Sequence, residues 1–318
     1  MFDANKFIQE KVKELKNRIK DSNAIIGISG GVDSTTSAIL VNKAIGKNLL
    51  CILVDTGFMR KNEVEQNEKI LKSIGLNLRV VDAKERFYKS LKGITDPEKK
   101  RKIIGELFIR IFEEIAEKEN AKFFVQGTIA PDWIESGGGL RDKIKSHHNV
   151  AGLPKDIKFE VVEPLRDLYK DEVRLVAREL SLPKEIYERQ PFPGPGLAVR
   201  IIGEATKEKA EIVREASAIV EEEIEKAVSE GKIKKPWQYF AVLLPVKTVG
   251  VHGDVRAYGN IIAVRIVDSI DAMSAAYSKI PHEILERISI RITNNLKDSI
   301  TRVVFDITNK PPGTIEYE

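Results

Sequence analysis

The residues best placed to do chemistry are Ser29-Gly30-Gly31-Val32-Asp33-Ser34. Two adjacent glycines open backbone angles closed to other residues and leave no side chain in the way, so amide N–H groups can converge on an anion. Ser29 and Ser34 add hydroxyl donors, and a helix starting at Asp33 would add the partial positive charge of its N-terminus. The chemistry implied is phosphate binding. The plainer alternative is a tight turn with Asp33 or Ser34 as helix N-cap. The string is no Walker A loop, since no Gly-Lys-Ser/Thr follows, and no dinucleotide fingerprint, since Gly-x-Gly-x-x-Gly is missing.

Phosphate chemistry also needs a divalent cation and positive charge for the transition state. Asp33 lies in the loop itself, and Asp132 with Glu135 would put two carboxylates on one side of a helical turn. Lys145 is a nearby cation. Lys170 and Asp171 open a later helical pattern, where a solvated helix start is the simple alternative. His147-His148 are no zinc site, because adjacent residues rarely ligate one metal and no other Cys or His has suitable spacing.

The elements that must hold these residues follow from periodicity. Apolar runs at 24–28, 49–54, 78–82, 122–126 and 159–163 read as strands, and helical patterns fall at 4–20, 33–45, 62–74, 85–92, 97–118 and 168–181. That alternation predicts right-handed crossovers and a parallel sheet, with ligands at the carboxyl ends of its strands. Residues 127–158 are long and glycine-rich without apolar periodicity, which reads as a lid or binding loop rather than a disordered insertion. Gln190 to Gly196, with three prolines and two glycines, reads as a rigid connection. Beyond it a helix at 206–231, capped by Thr206 and stopped by Gly231, strands at 238–244, 261–267 and 301–307, and a helix near 281–296 make a smaller α+β domain. The partition is therefore 1–190, a linker at 191–200, and 201–318. Three strands make a thin core, so the second domain is expected to form a homodimer.

Composition bounds the rest. With 52 basic and 48 acidic residues in 318, the net charge of +4 gives no electrostatic footprint for nucleic acid. The single Cys51 lies in a strand-like run and excludes a disulfide framework, which fits a reducing cytoplasm. No signal peptide or membrane-length apolar run is seen, so no membrane role is expected.

The loop resembles the SGGxDS pyrophosphate loop of the ATP pyrophosphatases. Together with DPEKKRKIIGELF, GTIAPDWIES, KSHHNVAGLP, QPFPGPGLAVR, VGVHGDVRAY and RVVFDITNKPPGTIEYE, it is similar to the ATP-pyrophosphatase part of the GMP synthetase family. The resemblance implies an α/β parallel-sheet domain of the adenine nucleotide alpha hydrolase-like type plus a smaller α+β dimerisation domain. It implies a C–N ligase that adenylates xanthosine 5'-monophosphate (XMP) with ATP and Mg2+, after which ammonia displaces AMP to give GMP. Carried over to this sequence, Ser29, Gly30, Gly31, Val32, Asp33 and Ser34 would hold the pyrophosphate, with Lys170 and Asp171 near the ATP phosphates and Asp33 on the metal. Asp132, Glu135 and Lys145 would assist adenyl transfer, and Arg101, Asp254, Lys310 and Glu316 would bind XMP. Many members of the family carry an N-terminal amidotransferase domain with a nucleophilic Cys, whereas this sequence begins roughly 25 residues before the loop and Cys51 has no matching His motif, so none is expected here. Glutamine hydrolysis is therefore expected from a separate glutamine amidotransferase subunit. The rivals are an NAD synthetase or a tRNA-thiolating enzyme of the same fold, or a nucleotide-sensing protein without turnover. Thiolation would need active cysteines and an RNA face, and NAD synthetases lack the KPPGTIEYE ending.

Overall fold

The structure is a computed structural model that describes residues 2–130, 159–252, 254–270 and 272–318. The chain divides into two compact units. The first comprises residues 1–56, 62–83 and 102–189, and the second 57–61, 84–101 and 190–318.

The first unit is built on five parallel strands: β1 (Asn23–Gly27), β2 (Leu49–Asp55), β3 (Leu78–Asp82), β4 (Ala121–Val125) and β5 (Glu160–Val162). Their order is β3-β2-β1-β4-β5. Helices cover the sheet: α1 (Ala4–Ile19), α2 (Val32–Ile45), α3 (Glu63–Ser73), most of α5 (Pro97–Lys118) and, after β5, α6 (Lys170–Glu179) and α7 (Lys184–Tyr187). A sheet covered on both faces needs apolar residues at successive positions, and Leu49 to Val54 are buried without alternation. Each fully buried Leu or Ile contributes roughly 1.5–3 kcal/mol. The strand order reverses between β1 and β4, so the loops after these two strands flank the switch point where such sheets take their ligands.

The second unit contains α4 (Lys84–Leu91), the first turn of α5 up to Arg101, α8 (Lys207–Ser229), β6 (Gln238–His252), β7 (Val255–Asp268), β8 (Ala276–Tyr277), α9 (His282–Asn295) and β9 (Ile300–Asp306). Strand β7 pairs antiparallel with β6 on one side and carries β8, antiparallel, and β9, parallel, on the other. Thr206 caps α8 through its hydroxyl, which accepts from Lys209 N–H at 3.3 Å.

The parallel sheet and the smaller α+β part match the expected fold class, and most element bounds fall within two residues of the periodic pattern. Two stretches differ. Strand β6 runs well past Leu244 and β7 begins well before Ile261; there Val246, Val249 and Val251 stand singly at uneven spacing among Lys247, Thr248 and Gly250 and form neither a continuous apolar run nor a strict alternation. The stretch read as a rigid linker, 191–200, belongs to the second unit, and its last residues are buried there. Leu197, Ala198, Val199 and Arg200 are fully buried in a 3-10 turn, and Ile201 bridges to Leu243 of β6. Prolines and glycines mark the turn correctly but say nothing about the apolar residues that follow.

Candidate active site

The loop between β1 and α2 closes on itself through its serines. Ser29 Oγ lies 3.3 Å from Ser34 Oγ and accepts from Gly31 N–H at 3.3 Å, while Ser34 Oγ accepts from Ser29 N–H at 3.3 Å. Gly30 has φ +76°, a conformation that favours glycine. Helix α2 has Gly31 as its N-cap, so neither Asp33 nor Ser34 caps it, and among the described residues its first-turn N–H groups have no side-chain cap. An uncapped helix start beneath a glycine turn offers free N–H groups and the helix's partial positive charge, the chemistry that suits an anion. Gly127, just beyond β4, packs against the backbone of Asp33 and Ser34. A Cβ there would stand 2.9 Å from the backbone nitrogen of Ser34, so only glycine lets the segment after β4 approach the first turn of α2 so closely.

Asp33 lies in the first turn of α2 and receives Lys170, the first residue of α6, with Nζ 2.5 Å from Oδ2. Its other oxygen, Oδ1, is buried and has no hydrogen-bond partner among the described residues. An unsatisfied buried carboxylate oxygen beside an anion cradle fits a hard divalent cation, which binds to one or two carboxylates and takes its other ligands from phosphate oxygens. Asp171, in the same turn as Lys170, is exposed. Asp132, Glu135 and Lys145 lie outside the described residues. Cys51 is fully buried in β2, and burial pushes its thiol up to about 12, which makes it an inert core residue.

In the second unit, residues 306–318 rest on side chains from distant segments. Arg200, fully buried, forms a fork with Glu316: Nε to Oε2 at 3.0 Å and an Nη to Oε1 at 2.8 Å. Its guanidinium lies over the Phe240 ring at 3.9 Å, and Gln238 adds a hydrogen bond to Glu316 at 2.9 Å. Arg265, also fully buried, pairs with Asp306 at 3.2 Å and donates to the carbonyls of Thr308 and Thr314. Buried Lys100 pairs with the side chain of Glu318, which also accepts from Gly203 N–H, and Arg101 donates to the main-chain oxygen of Glu318. Burial pushes the Lys100 ammonium down, opposed by Glu318.

Of the four positions expected to bind XMP, Arg101, Lys310 and Glu316 are therefore all engaged at this segment, with Lys310 Nζ donating to Ala272 O at 2.7 Å. Asp254 is exposed, at the turn from β6 to β7. Sequence reasoning missed Lys100, Arg200, Gln238 and Arg265. Two signals were present: Lys100 adjoins Arg101, and Arg200 closes the QPFPGPGLAVR string.

Comparison with known proteins is consistent along the whole chain. The family described as GMP synthase C terminal domain matches residues 222–317, and the family described as NAD synthase matches residues 2–115. A protein of Methanopyrus kandleri, named as one subunit of a glutamine-hydrolyzing GMP synthase, is 62% identical, covering 100% of both chains. The chain belongs to this family. Proteins of the same name from Thermococcus kodakarensis, 60% identical over 98% of this chain and 99% of its own length, and Methanocaldococcus jannaschii, 60% identical over 100% of both, agree. As a member of this GMP synthase family, the chain is a ligase of that kind, with an ATP-pyrophosphatase type of first unit. Among the described residues no helix is long and apolar enough to cross a membrane.

Proposed function

We propose that the chain is the synthetase subunit of a two-chain GMP synthetase. The first unit binds ATP with its pyrophosphate on the Ser29–Ser34 loop, and the second holds XMP through Arg101, Asp254, Lys310 and Glu316. The O2 oxygen of the xanthine attacks the α-phosphorus of ATP, the α–β bridge breaks, and pyrophosphate leaves. Ammonia then adds at C2 and AMP departs, giving GMP. Convergent N–H groups and Lys170 stabilise charge that grows on the leaving pyrophosphate. Mg2+ held by Asp33 would neutralise phosphate charge. Asp132, Glu135 and Lys145 assist the adenyl transfer.

The observation that carries this reading is the Asp33 carboxylate, with one oxygen on Lys170 and the other, among the described residues, unpartnered at the start of an uncapped helix. The names of the relatives support a glutamine-hydrolysing partner chain that supplies the ammonia. Exposed Val249, Val251, Val255 and Tyr258 on the β6–β7 ribbon support a homodimer through the second unit. The test is incubation with ATP, Mg2+ and ammonium, with and without XMP. XMP-dependent release of pyrophosphate and formation of GMP are expected, and their absence would sink the proposal.

A further inference from the structure

The geometry points to Asn67 and Arg189 as positioning residues that aim the Gly30 N–H into the phosphate cradle. This inference rests on the reading of Ser29–Ser34 as the pyrophosphate loop. Glu63 and Asn67 stand one helical turn apart on α3, on the same face. Both are buried, 2% and 4% exposed. Arg189 spans them, donating to Asn67 Oδ1 at 2.9 Å and to Glu63 Oε1 at 2.5 Å. Asn67 Nδ2 in turn donates to the carbonyl of Ser29 at 3.1 Å.

The direction of this chain is decided by chemistry. A guanidinium only donates, so it claims the oxygen end of the Asn67 amide and leaves the NH2 end for Ser29 O. In a planar trans peptide the C=O of one residue and the N–H of the next are antiparallel. Holding Ser29 C=O against Asn67 therefore turns the Gly30 N–H the other way, off Asn67. Gly30 cannot be replaced without disturbing this arrangement, since a Cβ at its φ of +76° would stand 2.5 Å from Asn67 Oδ1. The loop is thus preset from behind by a side-chain relay that begins at Glu63, and ATP need not order it.

The decisive variant is Asn67→Asp. It keeps volume and the bond from Arg189 but replaces the NH2 donor by a carboxylate oxygen facing Ser29 O, so the peptide is pushed rather than held. Binding of ATP and of inorganic pyrophosphate is measured by calorimetry on the full chain, alongside the melting temperature and the KM for XMP. Losing one hydrogen bond and gaining a repulsion should weaken both ligands about tenfold or more, with the KM for XMP unchanged. A purely structural role would lower the melting temperature and leave the ligand affinities of the folded protein alone. Dissociation constants within about twofold of native for the folded variant would overturn the inference, since that is below the worth of one hydrogen bond. Should Asn67→Asp not fold, Arg189→Gln tests the same relay by freeing the amide to flip, with native affinity again overturning it. If the native chain binds neither ATP nor pyrophosphate, the loop reading itself falls, a result distinct from native binding with an indifferent variant.

Discussion

The loop of the first unit presents backbone N–H groups on one short turn, whereas residues 306–318 of the second unit rest on Lys100, Arg200 and Arg265, three fully buried cations from segments far apart in the chain. The loop is stabilised by the sheet around it, and its Asp33 oxygen is left without a partner among the described residues. In the second unit, Asp306, Glu316 and Glu318 each meet a cation that has no access to water. One region should therefore lose chemistry when altered and keep its fold. The other should lose both together.

Asp33→Ala is the largest test of the first half of that contrast. It removes the buried, unpartnered oxygen and the partner of Lys170, both in the partly buried first turn of α2, so the XMP-dependent rate should fall at least about a hundredfold, as for loss of a transition-state contact. The melting temperature should move by no more than about 2 °C, since no core packing is lost. Pyrophosphate-release kinetics and calorimetry on the same preparation check both. A variant that turns over normally would remove Asp33 from the site.

Glu316→Gln tests the second half. It leaves the Arg200 guanidinium buried against a neutral group, and breaking one partner of a buried pair costs about 3–5 kcal/mol. Denaturant unfolding should report that loss, and the KM for XMP should rise while the KM for ATP holds. The double variant Arg200→Met/Glu316→Leu should recover most of the stability, since a buried pair is often replaced by apolar residues without loss. It should not recover XMP use. Recovery of both would mean that Glu316 serves only the fold. Removing Lys310–Glu318 altogether is a weaker experiment, because it leaves Lys100 and Arg200 buried together without their carboxylates and confounds folding with binding.

The same contrast explains what could be read from the sequence. The loop is contiguous, and the proposal of a phosphate cradle rests on residue types at fixed neighbouring positions, Gly30, Gly31 and Ser34 among them. Lys170 was legible as a helix start, but its bond to Asp33 across more than a hundred residues was not. Arg200 looked like the end of a Pro/Gly connection, because burial of a charged residue depends on partners such as Glu316 and Phe240 that only the fold brings near. Asn67 carried no signal at all, since an Asn on a helix face is ordinarily a solvated residue.

Acid should reach the second unit through Asp306. Burial by itself would raise this carboxyl, but hydrogen bonds from Thr308 N–H and the Tyr317 hydroxyl and the charge of Arg265 outweigh it and hold it below the usual range. A depressed folded pKa contributes stability that is fully present above the unfolded value, about 4 for Asp, and is lost as pH falls through the folded one. The melting temperature of the native chain should therefore decline more steeply than that of Asp306→Asn below about pH 4. Equal slopes would show that the Arg265–Asp306 pair carries no linkage.

The smallest effect is expected where the geometry is nearly as good as at Arg200 but the setting differs. Arg18 directs two N–H groups to one oxygen of Glu160, at 2.8 and 2.6 Å, on the surface of the first unit. The distances rival those of the Arg200–Glu316 fork, yet the side chains are 40% and 56% exposed, against 1% and 16%. Water already solvates both charges of the exposed pair in the unfolded chain and in the folded one, and salt screens what attraction remains. Arg18→Ala should then cost no more than about 0.5 kcal/mol, less still in high salt. Unfolding in urea at low and high ionic strength measures it. A loss comparable to that of Glu316→Gln would show that short contacts, and not burial, set the worth of ion pairs here, and the contrast between the two units would fail.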